Sequence, residues 1–196
     1  QDNSIFLDWR TDYKSYRSSK IFSIFDHLLN TQQEERKEKR LGNTWDYYFP
    51  WEAPNLHDEY DTTTSFISFL RRSYYRPRDI LQMLKYLQKN RQSTEGFVIK
   101  EDFENTAFQR EYSRYLLGEI KDHLLFYYSE SDYQNFLKFF EFLNGKNRFD
   151  YAEYLKSFNN LRNHLNSTSV KTPKFMNTAN EFLQFLFDLN VIAYID

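Results

Sequence analysis

The stretch Arg71-Arg72-Ser73-Tyr74-Tyr75-Arg76-Pro77-Arg78-Asp79-Ile80-Leu81-Gln82-Met83-Leu84-Lys85-Tyr86-Leu87-Gln88-Lys89-Asn90-Arg91 combines the clearest helix signal in the chain with its densest positive charge. Pro77 suits the first helical position, where a missing N–H goes unnoticed and a fixed φ favours the turn. Ile80, Met83, Leu84 and Leu87 then recur at helical spacing and predict one buried stripe. Asp79 falls in the first turn, and Lys85, Lys89 and Arg91 lie toward the other end, as the helix dipole favours. Seven bases stand here against one acid, a balance of +6, while the rest of the chain carries 19 bases and 27 acids, a balance of −8. Arginines beside a helix N-terminus can grip an anion with backbone N–H groups and planar guanidinium forks. Charge alone points instead to pairing with acids elsewhere in the chain.

A resemblance adds to this reading. Tyr75-Arg76-Pro77-Arg78-Asp79-Ile80-Leu81 resembles the "RPRDIL" signature in the C-terminal part of a family of bacterial P-loop ATPases related to the STAND and origin-recognition AAA+ groups, where it opens a helix of the small helical lid. Glu111-Tyr112-Ser113-Arg114-Tyr115-Leu116 is similar to the "YS..RL" element that opens the next, winged-helix-like part of those proteins. The resemblance implies that Arg78 takes the place of a sensor-2 arginine reaching the terminal phosphate of ATP, with Arg76 in support. It also implies that ATP and Mg are held by an N-terminal ATPase core of the same polypeptide and not by this region.

Across all 196 residues a fifth are aromatic, with 20 Phe and 16 Tyr, so rings dominate the expected core. Four glycines and four prolines are too few for a turn-rich β-sandwich, and a mainly α fold is expected. The absence of cysteine excludes disulfides and thiolate metal sites and fits a cytoplasmic setting. No run approaches the length of a membrane span, and Gln1-Asp2-Asn3 does not read as a signal peptide. A start without methionine and an unpartnered apolar end at 191–196 lead to the expectation of an excised piece of a longer protein.

Taken in order, residues 1–17 read as loop or short helix. Ser18 or Ser19 caps a helix whose face is Ile21, Phe22, Ile24, Phe25, Leu28 and Leu29. The mixed charges of 34–40 read as a solvated extension. Residues 42–61, with Trp45, Phe49, Pro50, Trp51 and Pro54, form an aromatic loop, clamped on its own domain or open to stack on a ring. His57-Asp58-Glu59 is not spaced to hold one metal ion. A short helix with Phe66, Ile67, Phe69 and Leu70 leads into the arginines.

A connection at 90–98, with Ser93, Thr94 and Gly96, separates a helical lid-like subdomain, 1–92, from residues 99–196. The second part begins with one long helix over 100–128, with Phe108, Tyr112, Tyr115, Leu116, Ile120, His123, Leu124 and Tyr127 on its apolar face and His123 read as a neutral core histidine. Glu119-Ile120-Lys121 echoes half of a nuclease motif that belongs on a strand, and is set aside in this helical context. Ser131 or Asp132 caps a following helix closed at Asn144-Gly145. Asp150 with Glu153 caps the next, residues 163–172 loop, and Thr172-Pro173 or Thr178 with Glu181 opens the last. Val191 to Ile195 reads as a strand, completing a winged-helix-like three-helix domain with a short β element. From 173 to 196, Lys174 faces Glu181, Asp188 and Asp196, too acidic for a DNA-reading wing.

The expected function is a non-catalytic regulatory and interaction region of a larger P-loop ATPase, since no phosphate loop, serine elbow, cysteine nucleophile or metal motif is present in this chain. Its expected partners are that core and, beyond it, another protein or a second copy. The alternatives are a nucleic-acid-binding module using Arg71, Arg72, Lys85, Lys89 and Arg91, or a protein-interaction module using 45–51.

Overall fold

A computed structural model describes residues 9, 11–32, 42–53, 64–92, 94, 96–168 and 171–192. The described chain is mainly α-helical: α1 Lys20–Thr31, α2 Thr44–Tyr48, α3 Ser65–Arg72, α4 Pro77–Asn90, α5 Lys100–Glu104, α6 Thr106–Tyr127, α7 Glu130–Phe142, α8 Tyr151–Ser167 and α9 Ala179–Asp188, with 3-10 turns at Tyr16–Ser18 and Lys174–Met176. Extended pairing among the described residues is confined to an isolated antiparallel bridge between Glu52 and Thr64. The chain divides into two compact units, Gln1–Arg114 and Tyr115–Asp196. The connection expected at 90–98 falls inside the first unit, where the Val98 N–H donates to the Tyr48 carbonyl at 2.8 Å.

The first unit is built on rings. Ser19 accepts the Phe22 N–H and starts α1, which buries Ile21, Phe22 and Phe25 but leaves Ile24 exposed. Trp45 is fully buried, its ring 4.4 Å from Phe49, 4.7 Å from Phe66 and 4.9 Å from Phe69, in stacked and edge-on arrangements that suit ring quadrupoles. Its indole N–H donates to Ser65 Oγ, which donates on to the Phe49 carbonyl. Of the two readings of the aromatic loop, the clamped one therefore describes Trp45 and Phe49, while within 45–51 Tyr47 and Pro50 are exposed. Phe69 continues to Phe103 at 4.6 Å and Phe103 to Phe108 at 5.4 Å.

The single helix expected over 100–128 is two. Asn105 takes an extended ψ of 131° after α5, and its side-chain oxygen accepts the N–H groups of Ala107 and Phe108, so it caps α6. The face read for this helix is only partly buried: Phe108, Tyr112 and Leu124 are inside, while Tyr127 and His123 are exposed. His123 is thus not a core histidine; its ring packs edge-on to Tyr127 at 5.7 Å.

In the second unit, Leu124, Phe136, Phe139, Tyr154, Phe158, Leu161, Phe175, Met176, Phe182 and Leu186 form the centre of one core. Each of its last three helices carries a capping box: Ser129 with Asp132, Asp150 with Glu153, and Thr178 with Glu181. The cap of α7 lies at Ser129, ahead of the expected Ser131 or Asp132, and α8 continues through Ser167 across residues expected to loop. Asn144 and Gly145 take φ of 53° and 74°, the left-handed closure expected there. Val191 and Ile192 do not begin a strand. Asn190 turns left-handed at φ 53° and the Val191 N–H returns to the Leu186 carbonyl at 3.0 Å, so these residues close α9, and 193–196 lie outside the described residues. Among the described residues, no helix is long and apolar enough to cross a membrane.

Candidate functional site

Between α3 and α4 the chain turns within four residues, and almost every polar group in that corner has a partner. The Ser73 N–H and hydroxyl both reach the Leu70 carbonyl, and Ser73 Oγ accepts the Tyr75 N–H at 3.2 Å. The Tyr74 N–H donates to Asp79 Oδ2 at 3.0 Å. Asp79 is fully buried, and Arg76 meets it with two donors, Nε to Oδ2 and a terminal nitrogen to Oδ1, both at 2.9 Å. This fork geometry matches a carboxylate in the way a lysine cannot. The Arg76 guanidinium also lies 4.9 Å from the centre of the Tyr74 ring.

Tyr75 has φ of 55°, a left-handed conformation that costs a non-glycine residue about 1–2 kcal/mol. Burial and the Tyr13 hydroxyl, to which it donates at 3.3 Å, push its own hydroxyl pKa up. Pro77 occupies the first position of α4, and Arg78, one residue on, is exposed.

The remaining bases of the stretch are largely spent inside the first unit. Arg71 lies 5.3 Å from the centre of the Tyr13 ring. Arg72 lies 4.2 Å from that of Phe103 and donates to the Phe103 carbonyl at 3.1 Å; burial lowers its pKa. Lys89 pairs with Glu111 at 2.5 Å, and this bond, with a second from Asn90, holds the Glu111 carboxyl below its ordinary range. Arg91 donates to the Phe97 carbonyl at 2.8 Å and faces Asp102 at 3.9 Å, beyond hydrogen-bond reach. Lys85 is exposed and has no ion pair among the described residues. The structure brings Arg76 to Asp79, and both Arg78 and Lys85 are exposed.

Sequence reasoning took Asp79 for a dipole partner alone and missed its larger role as counter-ion to Arg76 and acceptor for Tyr74. The i, i+3 spacing of Arg76 and Asp79 was the available signal. Two further buried carboxylates were also missed. Asp26 accepts the N–H groups of Gly42 and Trp45, and Asp102 accepts that of Gln92. Elsewhere, a recess of about 490 Å³ beside Asp12, Ser15, Ser19 and Lys20 includes none of these bases. No group of three or more His, Cys, Asp or Glu among the described residues can hold a metal ion, and His57-Asp58-Glu59 lies outside them. Compared with known proteins, the chain matches no family model, no curated protein and no solved structure.

Proposed function

We propose that this chain is a non-catalytic regulatory and interaction region that acts beside a P-loop ATPase core of the same polypeptide, with Arg78 answering the terminal phosphate of ATP bound by that core. The observation that carries this reading is the exposure of Arg78 on the first turn of α4, directly after Pro77. The exposure of Arg78 supports giving it the sensing role, while the two bonds from Arg76 to buried Asp79 support moving Arg76 from phosphate support to the corner itself. The helices α7, α8 and α9 are read as the winged-helix-like part, used for packing against protein. ATP and Mg belong to the core. In the full-length polypeptide Arg78→Ala should lower ATP turnover at least about tenfold, in keeping with the weight of phosphate-contacting arginines. Unaltered turnover would refute the assignment.

A protein-interaction role without nucleotide is the second reading, favoured by the apolar end of α6, where Phe126 is 79% and Tyr127 67% exposed. The nucleic-acid reading draws less support, because five of the seven bases in 71–91 already face rings, carbonyls or carboxylates. Binding to duplex or single strands that weakens steeply with salt and is lost in Arg71→Ala/Arg72→Ala would restore it.

A further inference from the structure

We infer that the exposed end of α6 docks a short cationic and apolar segment of a partner protein. This rests on the protein-interaction reading above, to which it gives a partner chemistry, and is independent of nucleotide. Leu124 and Tyr128, one helical turn apart, anchor this end to the core of the second unit. Leu124 is buried, and the Tyr128 ring packs edge-on to Phe175 at 4.8 Å and to Phe185 at 6.0 Å. Phe126 and Tyr127, between them, stay in solvent at 79% and 67% exposure, their rings edge to face at 4.8 Å. At about 150–250 Å² a ring, the open pair presents roughly 300 Å², against about 800 Å² per partner in a standard interface. Extent therefore favours a short segment over a second folded copy.

The surrounding charge selects the segment. From Asp122 to Leu137 the chain holds Asp122, Glu130 and Asp132, and no lysine or arginine. Glu130 accepts bonds from Lys121 and Gln134 at 3.0 Å each, and Asp132 is held in the cap of α7 by Ser129. Asp122, one turn before Phe126, is exposed and has no ion pair among the described residues, so its carboxylate is open to an incoming cation. Rings attract cations over their faces, as Arg71, Arg72 and Arg76 over Tyr13, Phe103 and Tyr74 illustrate in the first unit. Phosphates of a nucleic acid or a lipid surface would instead meet carboxylates of their own sign.

The test is a fluorescence-anisotropy titration of the chain against two labelled synthetic peptides, one alternating arginine and leucine, the other glutamate and leucine. The arginine peptide should bind and the glutamate peptide should not. Phe126→Ala should weaken the arginine peptide at least about tenfold, as loss of a ring anchor does, and Asp122→Lys about fivefold. Both side chains are exposed, so the thermal midpoint of each variant should stay close to the parent's. No binding of the arginine peptide to the parent overturns the inference, as does binding that Phe126→Ala or Asp122→Lys leaves unchanged. A glutamate peptide that binds and is lost in Phe126→Ala overturns the cationic partner but leaves the protein-interaction reading standing. If Phe126→Ala alters neither peptide, both fall. Anionic vesicles or a single-stranded oligonucleotide held through Phe126, or a dimer in sedimentation that Phe126→Ala dissolves, would overturn it in favour of that occupant.

Discussion

The two units of this chain stabilise their turns in different ways. In the first, the carboxylates of Asp26, Asp79 and Asp102 are buried, and each accepts backbone N–H groups from a connecting segment. In the second, the buried polar side chain among the described residues is Ser157, and the helix starts are held by capping boxes on the surface. Both cores are aromatic, so the difference lies in the loops. A loop that passes close to the core needs a buried acceptor for its N–H groups, whereas helices joined by capped turns satisfy theirs locally. The contrast also separates parts that depend on distant residues from parts that fold on local signals.

Asp79→Ala should show the largest effect. It leaves Arg76 without its counter-ion and the Tyr74 N–H without an acceptor, and the first unit should lose about 3–5 kcal/mol. Trp9, Trp45 and Trp51 all belong to that unit, so tryptophan fluorescence during urea unfolding reports on it, while far-ultraviolet dichroism reports on both. An unchanged fluorescence midpoint would break the comparison. Asp26→Asn keeps the shape but replaces one of its two accepting oxygens by a donor, leaving the N–H of Gly42 or of Trp45 without its acceptor, and should cost about 1–3 kcal/mol by the same probe.

In the second unit Asp150→Ala should cost only about 1 kcal/mol, seen in the dichroism transition and not in the fluorescence one. A loss as large as that of Asp79→Ala would erase the distinction between buried and surface ties. The smallest effect concerns pH. The bond from Lys146, and then the Asp150 N–H, hold the Glu153 carboxyl below its ordinary range. Its contribution is therefore complete above the unfolded carboxylate pKa of about 4.3 and is lost as pH falls through the lower folded value. Glu153→Gln should slightly flatten the acid limb of the stability curve, and a steeper limb would contradict the assignment.

This division explains what was legible in the sequence. Pro77, the Ile80, Met83 and Leu87 stripe, the Asp150 and Glu153 box and the Asn144-Gly145 closure are local patterns, and the helices they mark are where they were expected. Asn105 was passed over because the apolar spacing runs through it, and only its side-chain bonds reveal the break between α5 and α6. Val191 and Ile192 read as strand from their branched side chains, yet the left-handed Asn190 before them turns the chain back onto α9. The arginine stretch was legible as a helix start whose charges pair with acids elsewhere, but which acids was not. Glu111 lies 22 residues from Lys89, and nothing local announces such a partner. The i, i+3 pair of Arg76 and Asp79 was within reach, and it was overlooked because a first-turn acid already had an explanation in the helix dipole.

Arginine labelling in the full-length polypeptide tests the central assignment most directly. A guanidinium-selective dicarbonyl reagent, read out by peptide mass, should label Arg78 readily without nucleotide and lose most of that labelling when ATP and Mg are added. Arg76, held by Asp79, should label weakly in both states. Labelling of Arg78 that ATP leaves unchanged, or protection that falls on Arg76 instead, would contradict the account.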